Sequence, residues 1–236
     1  MYLYANGCSF TTGYGSEDTE SNEDYAFIHP HAWPQKLCEL MGLDDVFNHG
    51  LAGGSNDRIL RTTIDWILNQ WIGKNRSTSD LTVIVGWTDN SRREFLIDGK
   101  WVQIIPYHNY PKSPEMNKLN KIYRSVAWSE EEASHRFAYQ LLALQSFLCF
   151  YDIRYFFFDA FMPSKEIVSA DTSHWENYKS QIDKTRYYGF DQSGMDMRSQ
   201  VALEFPKWKK RHPSKKGHLY WAQELNSFIE KKIKIK

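Results

Sequence analysis

Two residues far apart in this chain are of the types that make and break acyl bonds together. Ser9 sits in the run YANGCSFTTGYG, Tyr4 to Gly15, where a short apolar stretch stops at a serine among small residues. His212 lies near the other end, in KWKKRHPSKK. A serine hydroxyl is a weak nucleophile until a base within hydrogen-bond reach removes its proton. Histidine, with an unperturbed pKa near neutrality, is a suitable base. Gly7 and Gly13, on either side of Ser9, would let backbone amides approach a substrate oxygen. Plainer readings stand beside these: Ser9 as a turn or helix cap, His212 as a surface residue of a basic loop. The lysines and the arginine around His212 could attract an anionic substrate or lower the imidazole pKa.

Other chemistries lack their residues. Thr11 occupies the last position of a Gly-x-Ser-x-Gly elbow, GYG completes no dinucleotide fingerprint, no Walker loop occurs, and the histidines lack a zinc spacing. No metal or organic cofactor is expected. Cys8, Cys38 and Cys149 are too scattered for a disulfide scaffold or a metal site and read as reduced, buried thiols.

The elements that must bring these residues together alternate between short β-branched or aromatic runs and longer helical patterns, which points to parallel strands joined by crossover helices. Tyr2 to Ala5 is the first strand. AWPQKLCELMG follows as a helix with Leu37, Leu40 and Met41 on one face, ended by Gly42. DVFNHG is a second strand, and a helix from Ser55 carries Ile59, Ile64 and Ile67 or Leu68 toward the core. LTVIVGW is apolar almost throughout, as a central strand buried on both faces would be. FLIDGKWVQII is a hairpin turning at Asp98 and Gly99. Ser129 and Glu132 form a capping box ahead of the longest helix, and IRYFFFDAF is the next buried strand. Ser214 caps the last helix, with Leu219, Ala222, Leu225 and Phe228 or Ile229 as its core stripe.

The expected architecture is a three-layer α/β/α sandwich around a mostly parallel sheet of about five strands. It is a single domain over residues 1–236, with insertions at about 95–128 and 162–207, the latter a surface excursion or lid. Ligands of such sheets collect beyond the carboxyl ends of the strands. Ser9, Asn48 to Asn56, Gly86 to Asn90, Asp159 and His212 all fall at that edge.

Lys+Arg and Asp+Glu both total 29, so no global field favours nucleic acid or an anionic membrane as partner. No run approaches the ~18 apolar residues of a membrane span, and no signal-like segment opens the sequence, so a cytoplasmic location is expected.

In the order they occur, four blocks of this chain resemble those of the SGNH (GDSL-type) hydrolases, over residues 2–232. NGCSFTTG looks like the first block, with Cys8 where an aspartate usually stands and Ser9 at the nucleophile. NHGLAGGSN is similar to the second, placing the oxyanion-hole glycine on Gly53. VGWTDN resembles the third, with Thr88 in the place of the oxyanion-hole asparagine and Asn90 two residues later. HPSKKGH looks like the fifth, with His212 as base and Lys209 where the triad aspartate is usually found.

This resemblance implies a flavodoxin-like topology and a serine esterase acting on a small-molecule or carbohydrate ester, such as an O-acetyl sugar. Ser9 would attack, His212 would shuttle the proton, and the Ser9 and Gly53 amides with Thr88 or Asn90 would hold the oxyanion. His212 would act in a dyad or with Glu204 or Asp159 reaching it from elsewhere. Tyr14, Trp87 and Trp175 would shape substrate choice. A non-catalytic binding or structural protein on the same scaffold and an acyltransferase are the alternatives. The GCSF form also resembles hydrolase-like proteins encoded by phages.

Overall fold

A five-stranded sheet organises the computed structural model, which describes residues 1–15, 27–106, 108–111, 113–161, 173–205 and 212–233. Its strands are β1 (Tyr2–Asn6), β2 (Asp45–Asn48), β3 (Leu81–Trp87), β6 (Arg154–Asp159) and β7 (Tyr187–Tyr188). They lie side by side as β2-β1-β3-β6-β7, every neighbour parallel. This is the flavodoxin-like order, and its switch point between β1 and β3 opens a crevice beyond their carboxyl ends.

Both faces of the sheet are covered, and β3 is buried at every position. On one face α3 (Asn56–Trp66) and α5 (Glu130–Phe150) set Ile59, Phe137, Leu141 and Leu144 against Tyr4, Val83, Val85 and Phe157. On the other, α2 (Trp33–Met41), α7 (Met197–Glu204) and α8 (Lys215–Ile233) set Trp33, Leu37, Val201, Trp221 and Leu225 against Leu3, Ala5, Ile84 and Phe158. The alternation of Leu3, Tyr4 and Ala5 between the two clusters is the period-two geometry of a strand.

Two helices are rotated slightly from their expected stripes. Leu40 and Leu219 are 43% and 41% exposed. Cys38 in α2, and His218 and Trp221 in α8, are buried instead. The Trp221 indole packs edge-on against Phe158 and Tyr188, each at 5.2 Å between ring centroids. Seating so large a ring sets the roll of α8.

The expected hairpin forms its own antiparallel sheet, β4 (Arg93–Ile97) and β5 (Lys100–Ile104). Asp98 and Gly99 turn it with φ of +48° and +73°, the paired left-handed conformation that two-residue hairpins favour. A helix, α4 (Pro114–Ile122), follows, and then the Ser129 hydroxyl accepts the Glu132 N–H at 3.0 Å to cap α5.

A buried polar junction fixes this hairpin to α3. Arg61 grips Glu94 with Nε and Nη2 at 2.8 and 2.9 Å, and the Glu94 side chain is only 2% exposed. Gln103 donates to Glu94 and accepts the Ser55 N–H at 3.0 Å. Asp57 accepts the Glu94 N–H and the Gln140 amide, with Arg93 and Arg136 nearby. Burial pushes the Asp57 carboxyl pKa up, against the downward pull of Arg136 and Arg93.

The segment read as a polar excursion contributes to the body of the fold. Besides the helix α6 (Ser173–Gln181), it supplies the edge strand β7 and the α7 residues Met197 and Val201, both fully buried. Residues 162–172 and 206–207 of it lie outside the described residues. Among the described residues, no helix is long and apolar enough to cross a membrane.

Candidate active site

The end of β1 is built to turn the chain sharply. The buried Asn6 donates to the hydroxyls of Thr62 and Thr63 at 2.9 and 3.0 Å, and its Oδ1 accepts the Gly7 N–H at 2.8 Å. Gly7 has no space for a side chain: a Cβ would lie 2.1 Å from Thr11 Oγ1 and 3.0 Å from the Gly86 carbonyl oxygen. The chain then passes through extended Cys8 into a single helical turn, α1 (Ser9–Thr12), closed by Gly13 at φ +80°. Ser9 is the first residue of that turn, where a backbone N–H has no intrahelical acceptor. The Cys8 side chain is fully buried in the core beside α2 and α8.

His212 arrives just before α8 and meets Ser9: its Nε2 is 2.9 Å from the serine Oγ. The rings of Phe10 and Tyr14 pack around the imidazole at 5.5 and 5.7 Å. The Gly15 backbone presses on it so closely that a Cβ there would stand 2.9 Å from Nδ1. Packing on several sides therefore holds Nε2 toward the hydroxyl. A neutral imidazole protonated on Nδ1 presents a lone pair to Ser9 in this pose.

Both residues open into a cavity of about 620 Å³ that Gly53 and Tyr14 also line. Gly53 occupies the third position of a turn in which the Gly54 N–H donates to the Leu51 carbonyl at 2.9 Å. Its φ is +80°, and a Cβ would come 2.8 Å from Ile105 Cδ1. Gly53→Ala is expected to cost about 1–2 kcal/mol from the left-handed backbone alone, and more as Ile105 is displaced, read as a lower urea midpoint. The far wall comes from the segment after the hairpin, through Ile105, His108, Tyr110 and Pro111.

Thr88 and Asn90 are not brought to this cavity. Both are buried, and neither lines it. The side-chain amide of Asn56, the first residue of α3, accepts the Thr88 N–H at 2.8 Å and donates to the Thr88 carbonyl at 2.9 Å and to Asn90 Oδ1 at 3.1 Å. This clamp ties the loop after β3 to α3. Sequence reasoning singled out neither this role of Asn56 nor Arg92, which the same loop puts in the cavity wall. The spacing of the NHGLAGGSN block was the signal available for Asn56; Arg92 lies outside every block.

Of the residues weighed as a third member, Asp159 accepts the Tyr187 hydroxyl, and Glu204 is exposed at the end of α7. Lys209 and the Trp175 side chain lie outside the described residues. Trp87 is fully buried between Phe137 and Phe157, so it packs the core instead of contacting substrate. Among the described residues, no group of three or more His, Cys, Asp or Glu side chains is disposed to hold a metal ion.

His49 and His218 belong to the framework. His49 stacks on Tyr4 at 5.1 Å, and burial with the nearby Arg58 lowers its pKa. His218 is fully buried and accepts the Trp33 N–H on Nδ1 at 3.3 Å. Burial first, then the neighbouring His31, His212 and His29, bring its pKa down from 6.5 to about 3. The unfolded chain therefore takes up this proton before the folded one does, and stability falls as pH drops from about 6.5 toward 3. About 2 kcal/mol is expected to be lost by pH 5 from this residue. Urea unfolding of His218→Gln should show a correspondingly smaller difference between pH 7 and pH 5.

Comparison of the fold with solved structures supplies relatives in shape. The chain is similar to the psychrotrophic esterase EstA of Pseudoalteromonas sp., in a structure inhibited by monoethylphosphonate. The two share 11% identity and a TM-score of 0.50, over 99% of this chain and 98% of that one. It is also similar to the acetyl xylan esterase Est2A of the rumen bacterium Butyrivibrio proteoclasticus. There the identity is 13% and the TM-score 0.54, over 98% of this chain and 64% of the other. At these identities the likeness is one of fold, and it agrees with the three-layer architecture expected of an SGNH hydrolase. A search of curated proteins finds no match. Residues 16–236 match the model of a family of unknown function, DUF6071, and the chain belongs to that family.

Proposed function

We infer that this protein is a serine esterase that cleaves a carboxylic ester through an acyl-enzyme on Ser9. The observation that carries this reading is the Ser9 Oγ to His212 Nε2 approach of 2.9 Å at the mouth of a cavity large enough for a small ester. The fold it shares with EstA and Est2A supports the same class of reaction.

In this mechanism Oγ adds to the ester carbonyl while Nε2 takes the hydroxyl proton. The carbonyl oxygen, now negative, is received by the N–H groups of Ser9 and Gly53. Collapse expels the alcohol, which takes the proton from His212. Water then attacks the acyl group by the same route and frees Ser9. Thr88 and Asn90 do not line the cavity, so in this mechanism the oxyanion rests chiefly on backbone donors. The hydrogen bond between Ser9 and His212 argues against a scaffold that has lost its chemistry, since such a chain has no need to keep the pair aligned.

The direct test is covalent capture. Incubation with a fluorophosphonate should add one label per chain, found by mass spectrometry on the peptide containing Ser9 and absent from Ser9→Ala. Labelling elsewhere, or none while the protein is folded, would reject the reading.

A further inference from the structure

We propose that the alcohol part of the ester is an anionic, hydroxyl-rich molecule such as an acidic sugar, and that its polar body leaves the catalytic cavity past His108 into a second cavity beside α4. This rests on the esterase reading of Ser9 and His212 and extends it to a substrate class.

The second cavity, of about 570 Å³, shares His108 with the first. Asn109, Asn117, Asn120, Lys121 and Arg124 are among the residues that line it. Side-chain amides can meet hydroxyl groups, Asn109 with its donors and acceptor and Asn117 with what its bonds to the Tyr110 backbone leave, and the two cations suit an anion. Among the described residues, no aspartate or glutamate lines either cavity. In a chain with 29 acidic and 29 basic residues, the lining is basic where the molecule as a whole is neutral.

Arg92 strengthens the case from inside the catalytic cavity. At the neighbouring junction the chain pairs its arginines with acids: Arg61 with Glu94, Arg93 with Glu132, Arg136 with Glu132 and Asp57. Arg92 has no such partner among the described residues. It donates to the Gly54 carbonyl at 3.3 Å and lies 5.1 Å over the Phe161 ring, which leaves most of its five N–H donors for a ligand.

The wall between the cavities is also held in place. Asn117 exchanges two hydrogen bonds with the Tyr110 backbone, each at 2.9 Å. Asn120 donates to the carbonyls of Ile105 and His108 at 3.4 and 3.0 Å. Asn120 is 4% exposed, and its Oδ1 accepts no hydrogen bond among the described residues.

The test compares an O-acetylated uronate glycoside with its uronamide, which differs only in charge, and with the corresponding acetylated sugar 6-phosphate. The wild type should favour the anionic substrates by about tenfold in kcat/KM, with the ratio shrinking as salt rises from about 20 to about 500 mM. Lys121→Met/Arg124→Met, at an exposed site, should bring the ratio to within about twofold of unity. A preference for uronate or for phosphate identifies the anion, and either upholds the proposal. A ratio near one in wild type that still hydrolyses p-nitrophenyl acetate overturns the proposal and leaves the esterase reading intact. If no ester is cleaved at all, the esterase reading fails separately. Titration of the deacetylated uronate against the wild type then decides the cavity: binding that is lost in the double variant retains the anion site, and absent binding removes it.

Discussion

Ser9→Ala is expected to lower the hydrolysis of p-nitrophenyl acetate by ~10⁴-fold or more, and His212→Ala by a similar factor. The two losses should not add. In the proposed mechanism nucleophile and base act on one proton, so removing either leaves the other with nothing to do, and the double variant should be about as slow as each single one. In the proposed mechanism, what survives is the contribution of the backbone donors at Ser9 and Gly53, which would polarise a bound carbonyl for attack by water. Neither substitution should cost much stability, because the Ser9 hydroxyl and the His212 ring meet at a cavity and not inside either apolar cluster. Circular dichroism and thermal unfolding of the variants separate loss of chemistry from loss of fold. Wild-type rates in both variants would remove Ser9 and His212 from the mechanism. Activity lost in His212→Ala but retained in Ser9→Ala would leave a histidine-assisted water as the attacking group.

The pieces of the candidate site are locally encoded. LTVIVGW can be stable only where both faces are covered, so it reads as a central strand. Asp98-Gly99 between apolar runs permits a tight two-residue turn and little else. Ser9 and His212 are separated by 203 positions, yet each stands at an element boundary, beyond the first strand and before the last helix, and the parallel topology brings such boundaries to one edge.

What could not be read depends on contacts between distant segments. The edge strand β7 has only two residues, too few to show a period, and pairs with β6 through Phe157 and Phe158 alone. The exposure of Leu40 and Leu219 follows from how Trp33 and Trp221 seat on Phe158, which no periodicity within α2 or α8 records. The loop of Thr88 and Asn90 is tied to α3 by the Asn56 amide, a contact between elements that their own block does not record. Arg92 gains its place in the cavity only because that loop ends where the hairpin begins.

Asn56 is therefore the residue whose loss should disturb the most structure for one side chain. Asn56→Ala strands the Thr88 N–H and the Thr88 carbonyl in a buried setting and takes one donor from Asn90 Oδ1. An unsatisfied buried group costs roughly 1–3 kcal/mol, so a total near 3 kcal/mol is expected. In a chain of 236 residues that corresponds to a fall in Tm of about 6–12 °C. Activity should fall as well, by about tenfold, because the loop that relaxes carries Arg92 in the cavity wall. Asn56→Asp separates hydrogen bonding from shape. The carboxylate keeps an acceptor for the Thr88 N–H but turns a lone pair toward the Thr88 carbonyl and Asn90 Oδ1, where the amide donated. Protonation restores a donor, so the folded-state pKa of the introduced acid should be raised. Its cost relative to wild type should then diminish as pH falls through that raised value toward the ordinary aspartate range. If Asn56→Leu instead matched the wild type in Tm and kcat/KM, the amide would have no role beyond filling its volume, and the loop after β3 would have to be held by its own turn.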